Sequence, residues 1–271
     1  MDDLHSKAKK LESALARLGN VAVAFSAGVD STYLLKVAHD TLGDRAIAVT
    51  AVTGTFPEKE LLEAEEFCRA ENVRLVKVSA DVFSAKGFVD NPPDRCYLCK
   101  KEILRGIINA AREYGIDSVA EGSNTDDMND YRPGMRAIRE LGVYSPLKEA
   151  GLTKDDIRAL SKELGLKTWD KASFACLATR IAYGEKITPD KIMMIDLAEK
   201  RLSELGFRQY RVRLQADTAR IELLQEDIIK ISDPDMRREI SSYYHHLGFK
   251  FVSLDLDGYR TGSMNAVLQG I

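Results

Sequence analysis

Short apolar segments alternate with amphipathic segments through the first 121 residues, and this alternation limits the folds open to the chain. Strand-like runs occupy residues 21–25, 46–52, 73–78 and 118–121, and helix-like stretches lie at 4–18, 30–41, 57–72 and up to about residue 114. Alternating strands and helices predict a parallel sheet wound by helices on both faces. Ligands of such sheets bind at the carboxyl ends of the strands, so binding residues are expected after residues 25, 52 and 121.

The order of elements changes in the second half of the chain. Thr153 and Asp156 resemble a capping box that begins a helix, and Thr188 precedes a second helix that ends at Gly206. Strands near 209–214 and 218–224, a helical stretch to about 247 and a strand at 250–256 follow. We therefore expect a doubly wound α/β domain over residues 1–165 and a smaller C-terminal α+β domain over 166–271.

Composition and charge indicate an ordinary globular protein. Apolar residues make up 45% of the 271 residues and charged residues 30%. The net charge of -3 gives no overall attraction for nucleic acid. No apolar run approaches the roughly 18 residues of a membrane span, and the N-terminal sequence MDDLHSKAKKLESAL lacks the apolar core of a signal peptide. We expect a cytoplasmic protein with no nucleic-acid partner and no membrane partner.

The loop SAGVDS, residues 26–31, lies between the first strand and the following helix. Its small residues let backbone N–H groups approach an anion, and the helix N-terminus adds about half a positive charge. The loop lacks the lysine of a Walker A phosphate loop. An ordinary strand–helix turn with Asp30 as N-cap is the alternative. Ala27 would be strained if its position requires a positive φ.

The same string closely resembles the SGGxDS pyrophosphate loop of the ATP-pyrophosphatase (PP-loop) family, which includes GMP synthetase, NAD synthetase and tRNA sulfur transferases. Further segments resemble the LarE-type branch of that family: EGSNTDDMNDYRPGMRAIRE, LGLKTWDKASFACLATRIAYGEKIT, YRVRLQADTARIEL and LGFKFVSLDLDGYRTGSMN. The likeness covers nearly the whole chain, with the motifs in the same order and spacing. It implies the adenine nucleotide α-hydrolase (PP-loop) fold and cleavage of ATP to AMP and pyrophosphate.

LarE-type enzymes are sulfur transferases of nickel-pincer nucleotide synthesis for lactate racemase. The resemblance implies that the protein adenylates a carboxylate of a pyridinium dicarboxylate mononucleotide and converts it to a thiocarboxylate. It also implies a homo-oligomer, with a hexamer as the suggested form. By the same resemblance Asp30 would place Mg²⁺, and the ATP-binding residues would be Ser26, Ala27, Gly28, Val29, Asp30, Ser31, Asp127 and Arg132. The alternative for residues 121–140 is a polar loop with solvated acids.

Three of the four cysteines form a possible metal-binding or redox set: Cys96, Cys99 and Cys176. Cys96 and Cys99 form a CxxC pair on a loop entering a helix, and Cys68 lies within a helix and is expected to be packed. A CxxC pair is compatible with zinc, a redox disulfide or an iron–sulfur cluster. Three thiolates leave one iron of a [4Fe–4S] cluster open to another ligand.

LarE-type proteins appear in two forms, which differ in the source of the sulfur. In one form a lone cysteine at the position of Cys176 gives up its own sulfur and becomes dehydroalanine. In the other, as in related tRNA thiolation enzymes, three cysteines hold a [4Fe–4S] cluster that carries the sulfur. The cysteine triplet favours the cluster here, held by Cys96, Cys99 and Cys176. The sacrificial route, zinc and a redox disulfide stay open as alternatives.

Arg211 and Arg213 alternate along a predicted strand and therefore share one of its faces. Arginine suits carboxylate and phosphate groups. The resemblance implies that both hold the anionic groups of the substrate near Cys176, and that Glu199 and Glu222 are acids of the same pocket. A solvated charged face is the alternative. The predicted catalytic set is Cys176, Asp30, Arg211, Arg213, Glu199 and Glu222.

Three other functions compete with sulfur transfer to a nucleotide. The net charge of -3 argues against a PP-loop enzyme that thiolates tRNA. A zinc-stabilised nucleotide-binding module would not turn ATP over to AMP. An amidotransferase would deliver ammonia to the adenylate and would leave the cysteine triplet without a purpose.

Overall fold

The computed structural model describes residues 3–55, 58–129, 133–171, 176–260 and 263–264. Within these ranges the helices and strands follow the order expected from the sequence. The helices are α1 Asp3–Leu18, α2 Val29–Leu42, α3 Glu58–Ala70, α4 Arg95–Glu113, α5 Gly134–Glu140, α6 Pro146–Glu149, α7 Lys154–Glu163, α8 Pro189–Glu204, α9 Gln225–Ile228 and α10 Pro234–Leu247. The strands are β1 Val21–Ala24, β2 Ala46–Val52, β3 Leu75–Ser79, β4 Val119–Ala120, β5 Tyr210–Gln215, β6 Thr218–Leu223 and β7 Phe251–Leu254.

The chain divides into two compact units. The first comprises Met1–Ala85 and Asp94–Phe174, and the second comprises Lys86–Pro93 and Ala175–Ile271. The short stretch between β3 and α4 therefore belongs with the C-terminal residues. The proposed domain limit between residues 165 and 166 stays a prediction.

The first unit contains a parallel sheet with strand order β3-β2-β1-β4. Alternate residues of a strand face opposite sides of the sheet. Val21 and Val23 of β1 belong to one buried cluster with Leu34 of α2. Ala22 belongs to a second cluster with Leu104 of α4. Apolar side chains are thus buried on both faces, which explains the continuous apolar runs and confirms the predicted wound α/β sheet.

Local signals set the limits of several helices in this unit. Thr153 and Asp156 form a complete capping box at the start of α7, because each side chain accepts a hydrogen bond from the other residue's N–H. Gly43, at φ +59°, ends α2. The sequence did not predict α5 and α6, which are too short, at seven and four residues, to show a helical period.

The second unit is built on a three-stranded sheet with order β5-β6-β7. β5 and β6 form an antiparallel hairpin, and β7 pairs with β6 in parallel after α10. Helix α8 packs against β5, and Tyr244 Oη of α10 donates to the Ala198 carbonyl of α8 at 3.0 Å. These elements form the predicted α+β unit. No helix in the described ranges has the length and apolar character needed to cross a membrane.

The segment 86–93 is fixed to this second unit by backbone and side-chain hydrogen bonds. Asn91 is fully buried, and its Nδ2 donates to the carbonyls of Ile181 at 3.2 Å and Ala182 at 2.7 Å. The N–H of Ile187 donates to the Val89 carbonyl at 2.8 Å. Since buried carbonyl and N–H groups need partners, this segment completes the second unit.

Candidate active site

The loop between β1 and α2 presents a compact set of polar groups. Gly28 is the N-cap of α2, with φ −81° and ψ 166°, and the helix begins at Val29. The hydroxyls of Ser26 and Ser31 are 3.1 Å apart, and the N–H of Ser26 donates to Ser31 Oγ at 3.3 Å. The first-turn N–H groups of a helix lack intrahelical acceptors, so the start of α2 can accept an anion. A role for this loop in binding the phosphates of ATP stays a prediction.

Ala27 adopts the left-handed conformation, with φ +52°, and is buried. A residue with a Cβ pays roughly 1–2 kcal/mol in this region, whereas glycine does not. The strain anticipated from the sequence at this position is therefore present. The fold must contain interactions that hold Ala27 in this conformation.

The carbonyl of Ala27 accepts a hydrogen bond from Lys171 Nζ at 3.0 Å. The same ammonium contacts Glu60 Oε2 at 2.6 Å and the carboxylate of Glu63, both on α3. Lys171 is only 14% exposed, so the three acceptors replace most of its hydration. A lysine thus reaches the loop from 144 positions away in the sequence.

Asp30 lies at the start of α2 and has two partners among the described residues. Its Oδ2 is 2.5 Å from Lys154 Nζ of α7, and its Oδ1 accepts from Asn124 Nδ2 at 3.3 Å. Asn124 also donates its N–H to Asp127 Oδ2 at 3.0 Å. The loop after β4 therefore joins Asp30 and Asp127, two of the predicted nucleotide-binding acids. Arg132, the other residue predicted from that signature, lies outside the described residues.

Gly122 allows this loop to approach α2. A Cβ on Gly122 would lie 3.0 Å from the backbone nitrogen of Ser31 and 3.3 Å from Asp30 Cβ. Such contacts are tighter than most side chains make, so glycine is favoured where the two segments meet.

Glu121 connects the end of β4 to α4. It is buried, and its carboxylate accepts from Lys100 Nζ at 3.0 Å, Ser145 Oγ at 2.7 Å and Ser123 Oγ at 2.8 Å. Burial alone would raise its pKa. The charge of Lys100 and the hydrogen bonds from the two serines outweigh burial and hold the pKa of Glu121 below its usual value.

The CxxC pair lies inside α4, which begins at Arg95, rather than on a loop before the helix. Cys96 is exposed and Cys99 is half-buried. Because residues three apart are neighbours on a helix surface, the two cysteines share one side of α4. Tyr97 fixes this turn, since its buried ring lies under the Arg136 guanidinium and its Oη donates to Glu140 Oε2 at 2.8 Å.

The two remaining cysteines differ in their surroundings. Cys176 is exposed and directly precedes a short 3-10 helix, Leu177–Arg180. Cys68 is buried in the first unit, as expected, and burial raises its pKa to about 12. Across the residues described, no three or more His, Cys, Asp and Glu side chains form a group that could hold a metal ion. A cluster on Cys96, Cys99 and Cys176 stays a prediction.

Within the second unit, Arg180 joins Cys176 to Glu199. Arg180 is 1% exposed and binds the Glu199 carboxylate in a bidentate pair, with distances of 2.8 and 3.0 Å. Its Nη1 also donates to the Cys176 carbonyl at 3.3 Å and to Thr179 Oγ1 at 3.0 Å. Glu199 additionally accepts the N–H of Val212 at 3.0 Å. The backbone of Cys176 is thereby linked to α8 and β5.

A second arginine–glutamate pair, formed by Arg213 and Glu222, is connected to the same segment through Thr179. Arg213 Nε and Nη2 bind the fully buried Glu222 at 3.1 and 2.9 Å, and its Nη1 donates to the Thr179 carbonyl at 3.1 Å. Arg211 is 4% exposed and stacks its guanidinium 5.0 Å from the Tyr259 ring centre. Burial first, and then the charge of Arg180, lower the pKa of Arg211.

The structure thus brings five of the predicted catalytic residues into one unit: Cys176, Glu199, Arg211, Arg213 and Glu222. Arg211 and Arg213 are buried, so they do not form a solvated charged face. Buried guanidinium groups with part of their charge balanced by carboxylates can bind an anionic ligand. The roles of these residues in catalysis stay predictions.

Two basic residues that organise the loop at residue 27 and Asp30 were not predicted: Lys154 and Lys171. Lys154 stands at the first position of α7, where the helix dipole disfavours a cation, and this placement was an available signal. Lys171 carries no local signal, because the Ala27 carbonyl that it reaches is distant in sequence.

The wound parallel sheet and the small-residue loop ahead of α2 define an α/β protein of the PP-loop class. In agreement, 198 residues are 25% identical to a subunit of the glutamine-hydrolyzing GMP synthase from Archaeoglobus fulgidus, covering 69% of this chain and 65% of that protein. A more extensive match, 38% identity over 271 residues, is found with the pyridinium-3,5-bisthiocarboxylic acid mononucleotide synthase of Lactiplantibacillus plantarum. It covers 99% of this chain and 97% of that synthase. The chain therefore belongs to the LarE-type sulfur transferase family.

Another relative agrees in length. An uncharacterized protein of Synechocystis is 38% identical over 265 residues, which cover 98% of this chain and 99% of that protein. No family model matches the chain.

Proposed function

We propose that the protein is an ATP-dependent sulfur transferase that converts a carboxylate of a pyridinium dicarboxylate mononucleotide into a thiocarboxylate. The observation that carries this proposal is the hydrogen bond from Arg213 to the Thr179 carbonyl, three residues from Cys176. This bond connects Arg213, the side chain that we propose binds the substrate anion, to the segment that bears the exposed Cys176. The match to the Lactiplantibacillus synthase supports the substrate class.

Activation of the carboxylate is assigned to the first unit. A carboxylate resists attack by sulfur because its charge repels a thiolate and its oxygen is a poor leaving group. Transfer of AMP from ATP gives an acyl adenylate and releases pyrophosphate. The loop at residues 26–31 would hold the departing phosphates with backbone N–H groups and hydroxyls.

Asp30 and Asp127 are the acids proposed to place the Mg²⁺ that accompanies ATP. Lys154 now neutralises Asp30 at 2.5 Å. Because a metal ion and an ammonium compete for the same carboxylate oxygen, binding of Mg²⁺ would release Lys154. The freed ammonium can then bind a phosphate oxygen, which would supply the charge that the loop sequence lacks.

Recognition of the substrate anion is assigned to Arg211 and Arg213. Both are buried, and Glu222 aligns Arg213 through two hydrogen bonds. A fixed, desolvated guanidinium binds phosphate or carboxylate more strongly than an exposed one, since water competes less. Arg180 and Glu199 position the Cys176 backbone next to this pair.

For sulfur delivery we favour a [4Fe–4S] cluster held by Cys96, Cys99 and Cys176. The donor set fits such a cluster chemically, because thiolates are its usual ligands and all three are at least partly accessible. When bound, the cluster would supply an iron open to sulfide. The cytoplasm, whose reducing conditions keep thiols available, is the proposed compartment, and a homo-oligomer is the proposed assembly.

The alternative source is Cys176 itself. Its Sγ would attack the acyl carbon and expel AMP, forming a thioester. Loss of the Cα proton and cleavage of the Cβ–Sγ bond would then release the thiocarboxylate and leave dehydroalanine. The protein would lose the mass of H₂S.

The deciding experiment incubates anaerobically purified protein with ATP, Mg²⁺ and the pyridinium dicarboxylate mononucleotide, once as purified and once after reconstitution with iron and excess sulfide, which supplies the sulfur in the cluster route. Thiocarboxylate and AMP are expected in equal amounts, and Cys176→Ala should abolish the thiocarboxylate while Cys68→Ala should not. Iron bound after reconstitution with unchanged protein mass supports the cluster, and a mass loss of H₂S supports sacrificial Cys176. Formation of AMP without a thiocarboxylate, both before and after reconstitution, would overturn the proposal of sulfur transfer.

A further inference from the structure

Lys171 meets three acceptors with its three N–H donors. These acceptors are the Ala27 carbonyl at 3.0 Å, Glu60 Oε2 at 2.6 Å and the Glu63 carboxylate. An ammonium has three donors and no acceptor, so the set satisfies it fully. Glu60 is only 9% exposed, which makes this a largely buried group rather than a surface ion pair.

The backbone of Lys171 is held in place independently. Arg158 of α7 donates from Nη1 to the Trp169 carbonyl at 2.7 Å and from Nη2 to the Lys171 carbonyl at 2.9 Å. The ammonium therefore extends from a braced turn, and its position is set before any ligand binds. A flexible surface lysine would lose much more side-chain entropy in making the same contact.

We propose that Lys171 is the positioning residue of the nucleotide loop, holding the Ala27 carbonyl so that residue 27 keeps its left-handed conformation. This inference rests on the proposed function only in taking the loop as the site of the ATP phosphates. Lys171 acts through the backbone of Ala27.

The physical reason lies in the conformation of Ala27. At φ +52° a residue with a Cβ is disfavoured relative to glycine. If the carbonyl lost its partner, Ala27 would relax toward negative φ and turn the adjoining peptide. The N–H groups of Gly28 and Val29 would then no longer point toward the position proposed for the phosphates. The cost of the left-handed state corresponds to a roughly 5- to 30-fold shift in the loop's equilibrium.

The test measures the Kd of α,β-methylene-ATP with Mg²⁺ for Lys171→Met by calorimetry. The Kd should rise about tenfold, from the equilibrium shift above. In the assay with ATP, the KM should rise while kcat at saturating ATP stays within about twofold, because bound nucleotide draws the loop into place. Ala27→Gly in the same chain should restore most of the affinity, since glycine adopts positive φ without help.

Lys36→Met is the matched control. Lys36 is 21% exposed and pairs with Asp40 at 2.7 Å and Glu71 at 3.2 Å, but neither pair involves the loop. It should leave the nucleotide Kd unchanged. If Lys171→Met fails to fold, Glu63→Gln provides a milder variant with a smaller rise in Kd, again reversed by Ala27→Gly.

Hydrogen exchange separates this inference from the proposed function. In nucleotide-free protein, the amides of residues 27–31 should exchange faster in Lys171→Met and return to the original rate with Ala27→Gly. Failure of the unaltered protein to bind the analogue would overturn the nucleotide site alone. Unchanged exchange and Kd in Lys171→Met, or no rescue by Ala27→Gly, would overturn the role of Lys171.

Discussion

Replacing Arg180 by methionine should destabilise the second unit more than the same replacement of an exposed arginine does. Arg180 is 1% exposed, and its removal deprives Glu199 of two hydrogen bonds, at 2.8 and 3.0 Å. Glu199 keeps the Val212 N–H among its hydrogen bonds within the described ranges and the nearby charge of Arg211, but the buried carboxylate loses its bidentate partner. Breaking a buried ion pair on one side costs about 3–5 kcal/mol.

Hydrogen exchange at Val212 reports this loss locally, because its N–H donates to Glu199. A cost of about 3–5 kcal/mol corresponds to a loss of protection of roughly 10²- to 10⁴-fold. Adding Glu199→Gln should reduce the cost to about 1–3 kcal/mol, since an unpaired amide is cheaper to bury than an unpaired carboxylate. The stability recovered by adding Glu199→Gln would identify the unpaired buried charge of Glu199 as the cause of the destabilisation.

Arg201→Met is the matched control on α8. Arg201 is 30% exposed and pairs with Glu204 at 3.0 Å and with Glu239, so its loss should cost under about 1 kcal/mol. Equal protection at Val212 in the Arg180 and Arg201 variants would refute the argument. A further destabilisation by Glu199→Gln would refute it as well.

Three other outcomes are expected. At pH 8 iodoacetamide should modify Cys176 in the folded protein and spare Cys68, whose pKa is raised to about 12 by burial; peptide mapping that finds Cys68 alkylated in folded protein contradicts this. Burial raises the pKa of Glu121, but the charge of Lys100 outweighs it, so the pKa of this carboxyl is lowered in the folded state. The ionised carboxylate therefore stabilises the fold fully above the usual pKa of 4.5, and this stabilisation is lost as the pH falls below that value. The midpoint of urea unfolding should accordingly decline less at acid pH in Glu121→Gln than in the unaltered protein. Gly258 has a φ of +69°, and a Cβ added to it would lie 2.6 Å from the carbonyl oxygen of Leu223. Gly258→Ala should therefore lower the free energy of unfolding in urea by about 2 kcal/mol or more, and an unchanged midpoint would contradict this.

The sequence predicts those parts of the fold that depend on neighbouring residues. The strands and the helices longer than seven residues follow from the periodic spacing of apolar residues. The start of α7 follows from Thr153 and Asp156. The loop at Ser26 was recognisable because its residues are contiguous. Alternation placed Arg211 and Arg213 on one face of a strand, and the structure confirms that both belong to β5.

The rest depends on contacts that only the folded chain creates. Lys154 meets Asp30 across 124 positions, and Lys171 meets Ala27 across 144. Lys154 is distinguished locally only by its place in the first turn of α7, and Lys171 carries no local sign of its partner. The pairing of Arg213 with Glu222 depends on the register of the β5–β6 hairpin, in which Arg213 lies opposite Arg220. Charge composition does not reveal that these arginines are buried.

The segment Lys86–Pro93 determines how the chain can be divided and when it can finish folding. Because it belongs to the second unit, a fragment that starts at residue 175 lacks the partners of the Ile181 and Ala182 carbonyls and of the Ile187 N–H. A single cut therefore cannot yield both units intact. During synthesis the segment leaves the ribosome long before its partners, so it must stay unpaired until the C-terminal residues emerge. Circular permutation that joins 86–93 to the C-terminal residues would remove that delay.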